Sequence, residues 1–371
     1  MVISRTPYRI SLFGGGTDYP AWYRQHGGCV VAATIDKYCY LTCRYLPPFF
    51  EHRIRVVYSK NETCQSVDEI AHPAVREILR YLQLDRGLEI HHDGDLPGRS
   101  GMGSSSAFTV GLLHALRALQ GRMTGKHQLA LESIHVEQDL LKETVGSQDQ
   151  VCAAYGGVNL IHFHPSGDVT VQPATLSRSR LRELNSFLML FYTGIKRTAS
   201  DIAGSYVTSL DAKQSQLRQL KILVERSCEI LNGNADLVQF GDLLHEAWLA
   251  KRSLGAKVSN VEVDRLYETA RTAGALGGKL LGAGGGGFLL LFVPVERQAA
   301  VKKELRHLIN VPFEFEFSGS QIIFFDPEKD YSLQEQTRAS QLIDSFRELS
   351  RDSEPIAIEP EGTKVLTKPN K

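Results

Sequence analysis

The sequence is poor in the features that mark several large protein classes. Its six cysteines, Cys29, Cys39, Cys43, Cys64, Cys152 and Cys228, are spread over 371 residues. None has the paired CxxC spacing of a zinc site. Cys39 and Cys43 lie in an apolar, aromatic-rich stretch, where buried reduced thiols are expected. Neither sign of charge is in excess, with 42 Lys and Arg against 42 Asp and Glu. No global field therefore draws the chain to nucleic acid or to an acidic membrane. No apolar run approaches the roughly 18 residues of a membrane helix. The opening Met1-Val2-Ile3-Ser4-Arg5-Thr6-Pro7 has no charged n-region followed by an apolar stretch, so no secretory signal is visible. No internal repeat is present. These absences predict a cytoplasmic protein that engages neither nucleic acid nor membrane. At about 150 residues per domain, the length allows two or three domain-sized units.

Glycine, in contrast, is plentiful and unevenly placed. The 32 glycines concentrate in three segments: Gly14-Gly15-Gly16 before Thr17-Asp18, Gly98 to Ser106, and Gly282 to Gly287. Each alone could be a plain turn. The middle one gains meaning from its flanks. Asp93 to Pro97 closes a strand-like run from Leu88 to His91, and Phe108, Leu112, Leu113, Leu116 and Leu119 follow at the spacing of an amphipathic helix. The loop Pro97, Gly98, Gly101, Met102, Gly103 thus runs into a helix with Ser at its N-cap. Free backbone N–H groups and the positive helix end converge at Gly103 to Ser106, which suits a phosphate chain. The hydroxyls of Ser104, Ser105 and Ser106 add ligands for a phosphate-bound Mg²⁺. The alternative is a capped helix with no ligand.

Two other phosphate-loop readings fail on spacing. Gly121 to Lys126 is one residue short of a Walker A loop, with His127 in place of the required Ser or Thr, and reads as a helix–helix turn. Gly282, Gly284 and Gly287 satisfy GxGxxG, but a buried-strand pattern, Phe288 to Val293, follows instead of a helix. A dinucleotide-binding reading is therefore rejected.

Two carboxylates complete the chemistry. Glu137 sits on a helix expected over His127 to Lys142, and Asp149 follows the break at Gly146-Ser147. Near a phosphate loop such a pair can divide labour, one binding Mg²⁺ and one orienting or deprotonating an attacking hydroxyl. Alone, either residue would read as a solvated surface group or a helix cap.

Thr6 to Gly14, Pro97 to Ala107 and Lys279 to Phe288, with the Gly146-Ser147-Gln148-Asp149-Gln150 segment, resemble in order and spacing the motifs of the GHMP kinases, the superfamily of galactokinase, homoserine kinase and mevalonate kinase. The resemblance covers about residues 1–326. It implies a two-lobed α/β sandwich of the α+β class: an N-terminal ribosomal-protein-S5-domain-2-like lobe over 1–176, a ferredoxin-like C-terminal lobe over 183–328, and a cleft between them. It also implies roles. Pro97, Gly98, Gly101, Met102, Gly103, Ser104, Ser105 and Ser106 would hold ATP, Ser105 and Glu137 Mg²⁺. Asp149 would be the catalytic aspartate, with Arg9 steadying it and offsetting charge on the transferred group. The Lys279 to Gly287 turn would brace the phosphate loop and the substrate side.

Within the superfamily, Phe13 to Pro20, Tyr192 to Ser200 and Trp248 to Lys251 most resemble bacterial D-glycero-D-manno-heptose 7-phosphate kinases, which act on the anomeric hydroxyl. Where galactokinases carry Glu and His, Gly15 and Gly16 stand, so galactose is a poor fit. The resemblance implies a sugar or sugar phosphate as small-molecule partner, with a homodimer left open. Gly15, Gly16, Thr17, Asp18, Gly284 and Gly285 are the expected acceptor contacts. Lys196 and Arg197, then Lys251 and Arg252, are the cations for an acceptor phosphate. The alternatives are a kinase for another sugar such as fucose, and a non-catalytic sugar sensor. Beyond residue 328 a helix is expected over Leu333 to Leu349. Residues 353–371, rich in Pro, Glu and Lys, read as a disordered or partner-draped tail.

Overall fold

Two sheets organise the chain in the computed structural model, which describes residues 1–195, 202–204, 207, 210–233, 235–327 and 331–340. The first is built on its two longest strands, β1 (Val2–Phe13) and β2 (Gly28–Tyr45), paired antiparallel around the short helix α1 (Pro20–His26). Outward from β2 lie β5 (Leu88–Gly94), β3 (Ile54–Val57) and β4 (Asn61–Cys64), with β3 and β5 parallel and helix α2 (Pro73–Tyr81) in the crossover. The start of β2 pairs instead with β6 (Val158–Phe163), which pairs with β7 (Val169–Pro173). Helices α3 (Ser104–Leu119), α4 (Lys126–His135) and α5 (Gln148–Tyr155) fill the gap between β5 and β6, and α3 lies across β1 and β2.

β1 carries no strand expectation from sequence although Tyr8 to Leu12 alternate apolar and polar residues, because Pro7 stands in its middle, where a ladder N–H is lost. From Thr6 onward the strand is buried on both faces, Arg9 and Ser11 included. The ladder accommodates Pro7 by a register shift between Pro7 and Tyr8, opposite Asp36 and Lys37 of β2.

The second sheet runs β11-β8-β10-β9, all antiparallel neighbours. Its strands are β8 (Leu188–Tyr192), β9 (Gly277–Leu280), β10 (Phe288–Phe292) and β11 (Ile309–Val311). β10 is wholly buried, as its unbroken apolar run requires. Helices α6 (Arg178–Phe187), α7 (Gln214–Asn232), α8 (Val238–Arg252), α9 (Val261–Thr272) and α10 (Gln298–Glu304) complete this part. α8 covers β9, and α7 packs on α8 and reaches back onto β1 and β2. Residues 196–201, with Lys196 and Arg197, lie outside the described residues.

The chain then returns. β12 (Phe315–Glu316) pairs with β2 and β13 (Gln321–Phe325) with β1, so both belong to the first sheet although the sequence boundary at 183–328 places them in the second lobe. Their position follows from the exposed edge that β1 would otherwise present: β13 takes up its unpaired N–H and C=O groups. A last helix, α11 (Ser332–Ser340), accepts the Gly87 N–H at Glu335 (3.1 Å); the rest of the expected helix and the tail lie outside the described residues.

All six cysteines are free, and five are buried. Among the described residues no helix is long and apolar enough to cross a membrane, and no group of three or more His, Cys, Asp and Glu could hold a metal ion.

One buried hydroxyl ties the returning segment to the older part of the sheet. Ser320 Oγ lies 2.9 Å from Thr6 Oγ1 and 3.0 Å from His114 Nδ1. Ser320→Ala strands both partners and is expected to lower unfolding free energy by about 1–3 kcal/mol in denaturant titration; a variant as stable as the parent would remove this contact from the account.

Candidate active site

Arg9 is the centre of the site. Past the bulge in β1 its side chain is 3% exposed, and its guanidinium makes a two-pronged contact with Asp149: Nε to Oδ1 and Nη2 to Oδ2, both 2.7 Å. Nη1 donates to the Gly101 carbonyl at 2.7 Å, and the Arg9 backbone N–H to Met102 O at 3.1 Å. One residue thus joins β1, the loop before α3 and the first turn of α5, which carries Asp149.

The helix start differs from expectation. The N-cap is Gly103, not a serine, and it holds the left-handed conformation at φ 72. A Cβ there would stand 3.2 Å from Arg9 Cγ and 3.3 Å from Asp149 Oδ2. Glycine both adopts this backbone and leaves room for the ion pair. Ser104, Ser105 and Ser106 therefore form the first helical turn, where backbone N–H groups have no partner within the helix.

Behind the loop sits Glu137. The helix expected over 127–142 is regular only as α4; Val136–Leu140 is a π-helical turn, a distortion that recurs at functional sites. It buries Glu137 completely. Oε2 accepts from Ser106 Oγ at 2.8 Å and Gln150 Nε2 at 2.5 Å, while Oε1 has no partner. Burial pushes this carboxyl up to about 8, against the lowering effect of the Ser106 bond. The serine that touches Glu137 is Ser106, one position beyond the expected Ser105, which is exposed at the cleft. On a helix that single step rotates the hydroxyl by about 100°.

A third carboxylate, Asp18, is 1% exposed and accepts from Gly16 N at 2.8 Å and Gln148 Nε2 at 2.9 Å. Burial raises its pKa above the ordinary value, and the nearby Asp149 adds to the rise. Two lysines lie on the same side. Lys251, in the last turn of α8, donates to Gly282 O at 2.5 Å and Leu280 O at 3.4 Å. Lys279 lies deeper, donating to Leu12 O at 3.0 Å, and burial with Lys251 and Arg9 close by holds its pKa well below the usual lysine value.

Arg9, Asp18, Asp149 and Lys251 line a cleft of ≈ 250 Å³, whereas Glu137, expected there as a metal ligand, and Lys279 are buried behind it and do not line it. Of the residues expected from sequence, Arg9, Gly15, Gly16, Asp18, Gly101, Gly103, Ser104, Ser105, Ser106, Asp149 and Lys251 face it. Others do not. Thr17 turns inward, its Oγ1 2.8 Å from Gly14 O and 2.9 Å from Cys29 O, and braces the turn instead of contacting an acceptor. Gly284 and Gly285 pack against the preceding loop, Gly285 donating to Val258 O at 2.9 Å; Gly282 and Ala283 face the cleft in their place. Met102 is fully buried, and Pro97 and Gly98 frame the loop from outside. Arg252 is engaged by Asp264 at 2.8 Å. The brace is where the sequence puts it: Phe288 N donates to Ser100 O at 3.2 Å, and a Cβ on Gly287 would lie 2.0 Å from that same oxygen. Cleft residues missed on sequence are Arg99, Gln148 and the run Glu143 to Gly146. Gln148, adjacent to Asp149, could have been found, since side chains flanking a catalytic carboxylate at a helix start share its surroundings.

Comparison with known proteins gives this cleft a family. The chain matches the models "GHMP kinases N terminal domain" over residues 69–157 and "GHMP kinases C terminal" over residues 229–310. It is 27% identical over 331 residues to a D-glycero-alpha-D-manno-heptose 7-phosphate kinase of Campylobacter jejuni, an alignment covering 85% of this chain and 96% of that one. An L-fucokinase/L-fucose-1-P guanylyltransferase of Bacteroides fragilis is 27% identical over 342 residues, 81% of this chain and 35% of that longer protein. The fold superposes with a TM-score of 0.72 on a D-glycero-D-manno-heptose 1-phosphate kinase from Bacteroides thetaiotaomicron, at 24% identity and covering 88% of this chain and 100% of that one. With both halves of the family matched in order, on its fold and around its cleft, the chain belongs to the GHMP kinases and is a phosphotransferase.

Proposed function

We propose that the chain transfers the γ-phosphoryl group of ATP to the anomeric hydroxyl of a phosphorylated sugar, D-glycero-D-manno-heptose 7-phosphate, giving the 1,7-bisphosphate. The observation that carries this reading is the Arg9–Asp149 pair, set against the N-terminus of α3 in a cleft where a phosphate chain and a hydroxyl can meet. The choice of acceptor leans on the Campylobacter jejuni relative, which aligns almost end to end. Fucose is the second reading, favoured by the Bacteroides fragilis relative.

The Gly101 to Ser106 segment receives the phosphate chain on its free N–H groups and the positive end of α3. The acceptor enters from the Gly15, Gly16 and Asp18 side. Asp149 takes the proton of the anomeric hydroxyl as its oxygen bonds to the γ-phosphorus, and the bond from that phosphorus to the bridging oxygen breaks to release ADP. Arg9 fixes both oxygens of Asp149 in direction, so the carboxylate does not reorganise during transfer. Arg9 also ties Asp149 to Gly101, keeping base and phosphate loop in register.

The donor set fits Mg²⁺. Ser105, Ser106 and Glu137 offer only hard oxygen ligands, and the unpartnered, buried Oε1 of Glu137 is what a carboxylate lacking its counter-charge looks like. On the resemblance Ser105 and Glu137 would hold the ion, whose charge would neutralise phosphate oxygens; in the structure Glu137 is closed off behind the loop and bonded to Ser106 while Ser105 faces the cleft, so holding both would require these side chains to move. Lys251 is the described cation nearest the acceptor side; Lys196 and Arg197 remain part of the proposal on sequence alone.

An acceptor panel tests the reading directly. ADP release is expected with the heptose 7-phosphate and not with the unphosphorylated heptose, galactose or fucose, with phosphate found at C1 by NMR; turnover of fucose alone would transfer the assignment to the second reading. Asp149→Asn is expected to lower kcat by about 10²–10⁴ with little change in nucleotide affinity, and undiminished turnover would remove Asp149 from the chemistry. Glu137 gives a pH signature. Its folded pKa of about 8 lies above the unfolded carboxyl value, so the folded state holds the extra proton between the two, and metal-free stability falls as pH rises from about 4.5 toward 8. Melting temperature across that window should decline for the parent chain and stay flatter for Glu137→Gln; parallel profiles would show that Glu137 is not the group responsible.

A further inference from the structure

Three described cations reach the cleft: Arg9, Lys251 and Arg99. Two are committed to the protein. Arg9 spends its guanidinium on Asp149 and Gly101, and Lys251 holds the carbonyls of Gly282 and Leu280. Arg99 differs. It is exposed, and among the described residues its guanidinium has no protein partner. The bond it makes is through its backbone, N–H to Ser104 Oγ at 3.3 Å.

Its backbone is also out of the ordinary. Arg99 stands at φ 58, one of three described non-glycine residues with positive φ, together with Gln83 and Lys142, and of these it alone lines the cleft. Glycine adopts that conformation without penalty, and the loop already places glycines at 98, 101 and 103. A strained, charged residue in such a loop needs a compensating role. The charge balance supplies one. A nucleoside triphosphate brings several negative charges to the start of α3, and the guanidinium that contacts the loop there, Arg9, is already paired with Asp149.

We propose that Arg99 is a phosphate-binding residue of the nucleotide site, its planar fork closing on the phosphate chain of the triphosphate and retaining the diphosphate after transfer. This rests on the phosphoryl-transfer reading for its ligand, but not on the identity of the acceptor.

Calorimetric titration of the full-length chain with ADP and with ATP, each with Mg²⁺ and no acceptor, tests it. Arg99→Gly and Arg99→Ala are both expected to weaken nucleotide binding roughly tenfold or more, by similar factors, the scale of one lost charged hydrogen bond. Arg99→Lys should retain part of the affinity. Melting temperature separates charge from strain: the Gly variant should match or exceed the parent, and the Ala variant, which keeps the parent's unfavourable φ, should stay near the parent and below the Gly variant. Parent-like affinity in Arg99→Gly overturns the proposal, including the case where Arg99→Ala alone is weakened, since that would be an effect of the backbone. A parent chain that binds neither nucleotide would overturn the phosphoryl-transfer reading as well, before any variant is compared.

Discussion

The two-pronged contact between Arg9 and Asp149 is the constraint to which the rest of the site is fitted. Arg9 is buried while Asp149 opens to the cleft, so removing the carboxylate would leave a guanidinium with little water to replace it, a larger loss than the roughly 0–1 kcal/mol of an exposed pair. The surroundings are arranged accordingly. β1 is bent by its bulge at Pro7, Gly103 gives up a side chain so that α3 can begin beside the pair, and α5 begins with the carboxylate already in its first turn. The third nitrogen of Arg9 holds the Gly101 carbonyl, so a distortion of the loop is felt by the base.

Around this pair three carboxylates occupy three environments. Asp149 opens to the cleft. Asp18 is enclosed by backbone and amide donors, and Glu137 is shut behind α3 with one oxygen unmet. Burial drives the last two toward their neutral forms, so the same functional group can serve as proton acceptor, as a polar wall and as a site waiting for a cation. Gln148 and Gln150 flank Asp149 and face Asp18 and Glu137 respectively, so one helical turn wires all three together.

Much of this was legible in the residue order. The glycine-rich loop, its helix and the buried strand after Gly287 follow from patterns a few residues wide, whereas Arg9 was singled out only by the resemblance to the GHMP kinases, and Glu137 and Asp149 gained weight only from their neighbours. What was not legible depends on three-dimensional context. β1 hides because Pro7 interrupts it, and its alternating Arg9 and Ser11 are buried along with their apolar neighbours. The π-helical turn at Glu137 leaves no mark on the helical pattern, and neither does the bond from Ser106 to that carboxyl. Thr17, Gly284 and Gly285 lie in the right motifs but face backbone instead of the cleft, because a tight turn needs internal partners as much as a ligand does. Arg99 was passed over for the opposite reason: in a string of glycines and serines a single arginine reads as surface.

The return of β12 and β13 to the first sheet has a consequence for how the molecule comes into being. Met1 and Asp326 exchange backbone hydrogen bonds at 2.9 Å, so residues 325 apart in sequence are neighbours. During vectorial synthesis the sheet that carries Arg9 must wait, with the edge of β1 unpaired, while the whole of the second sheet and its helices emerge. Contacts of such long sequence separation form slowly and leave an unpaired strand edge open to wrong partners meanwhile. The two lobes are therefore not modules in the order of translation. The sheet that carries Arg9 is complete only when β13, its edge strand, has left the ribosome.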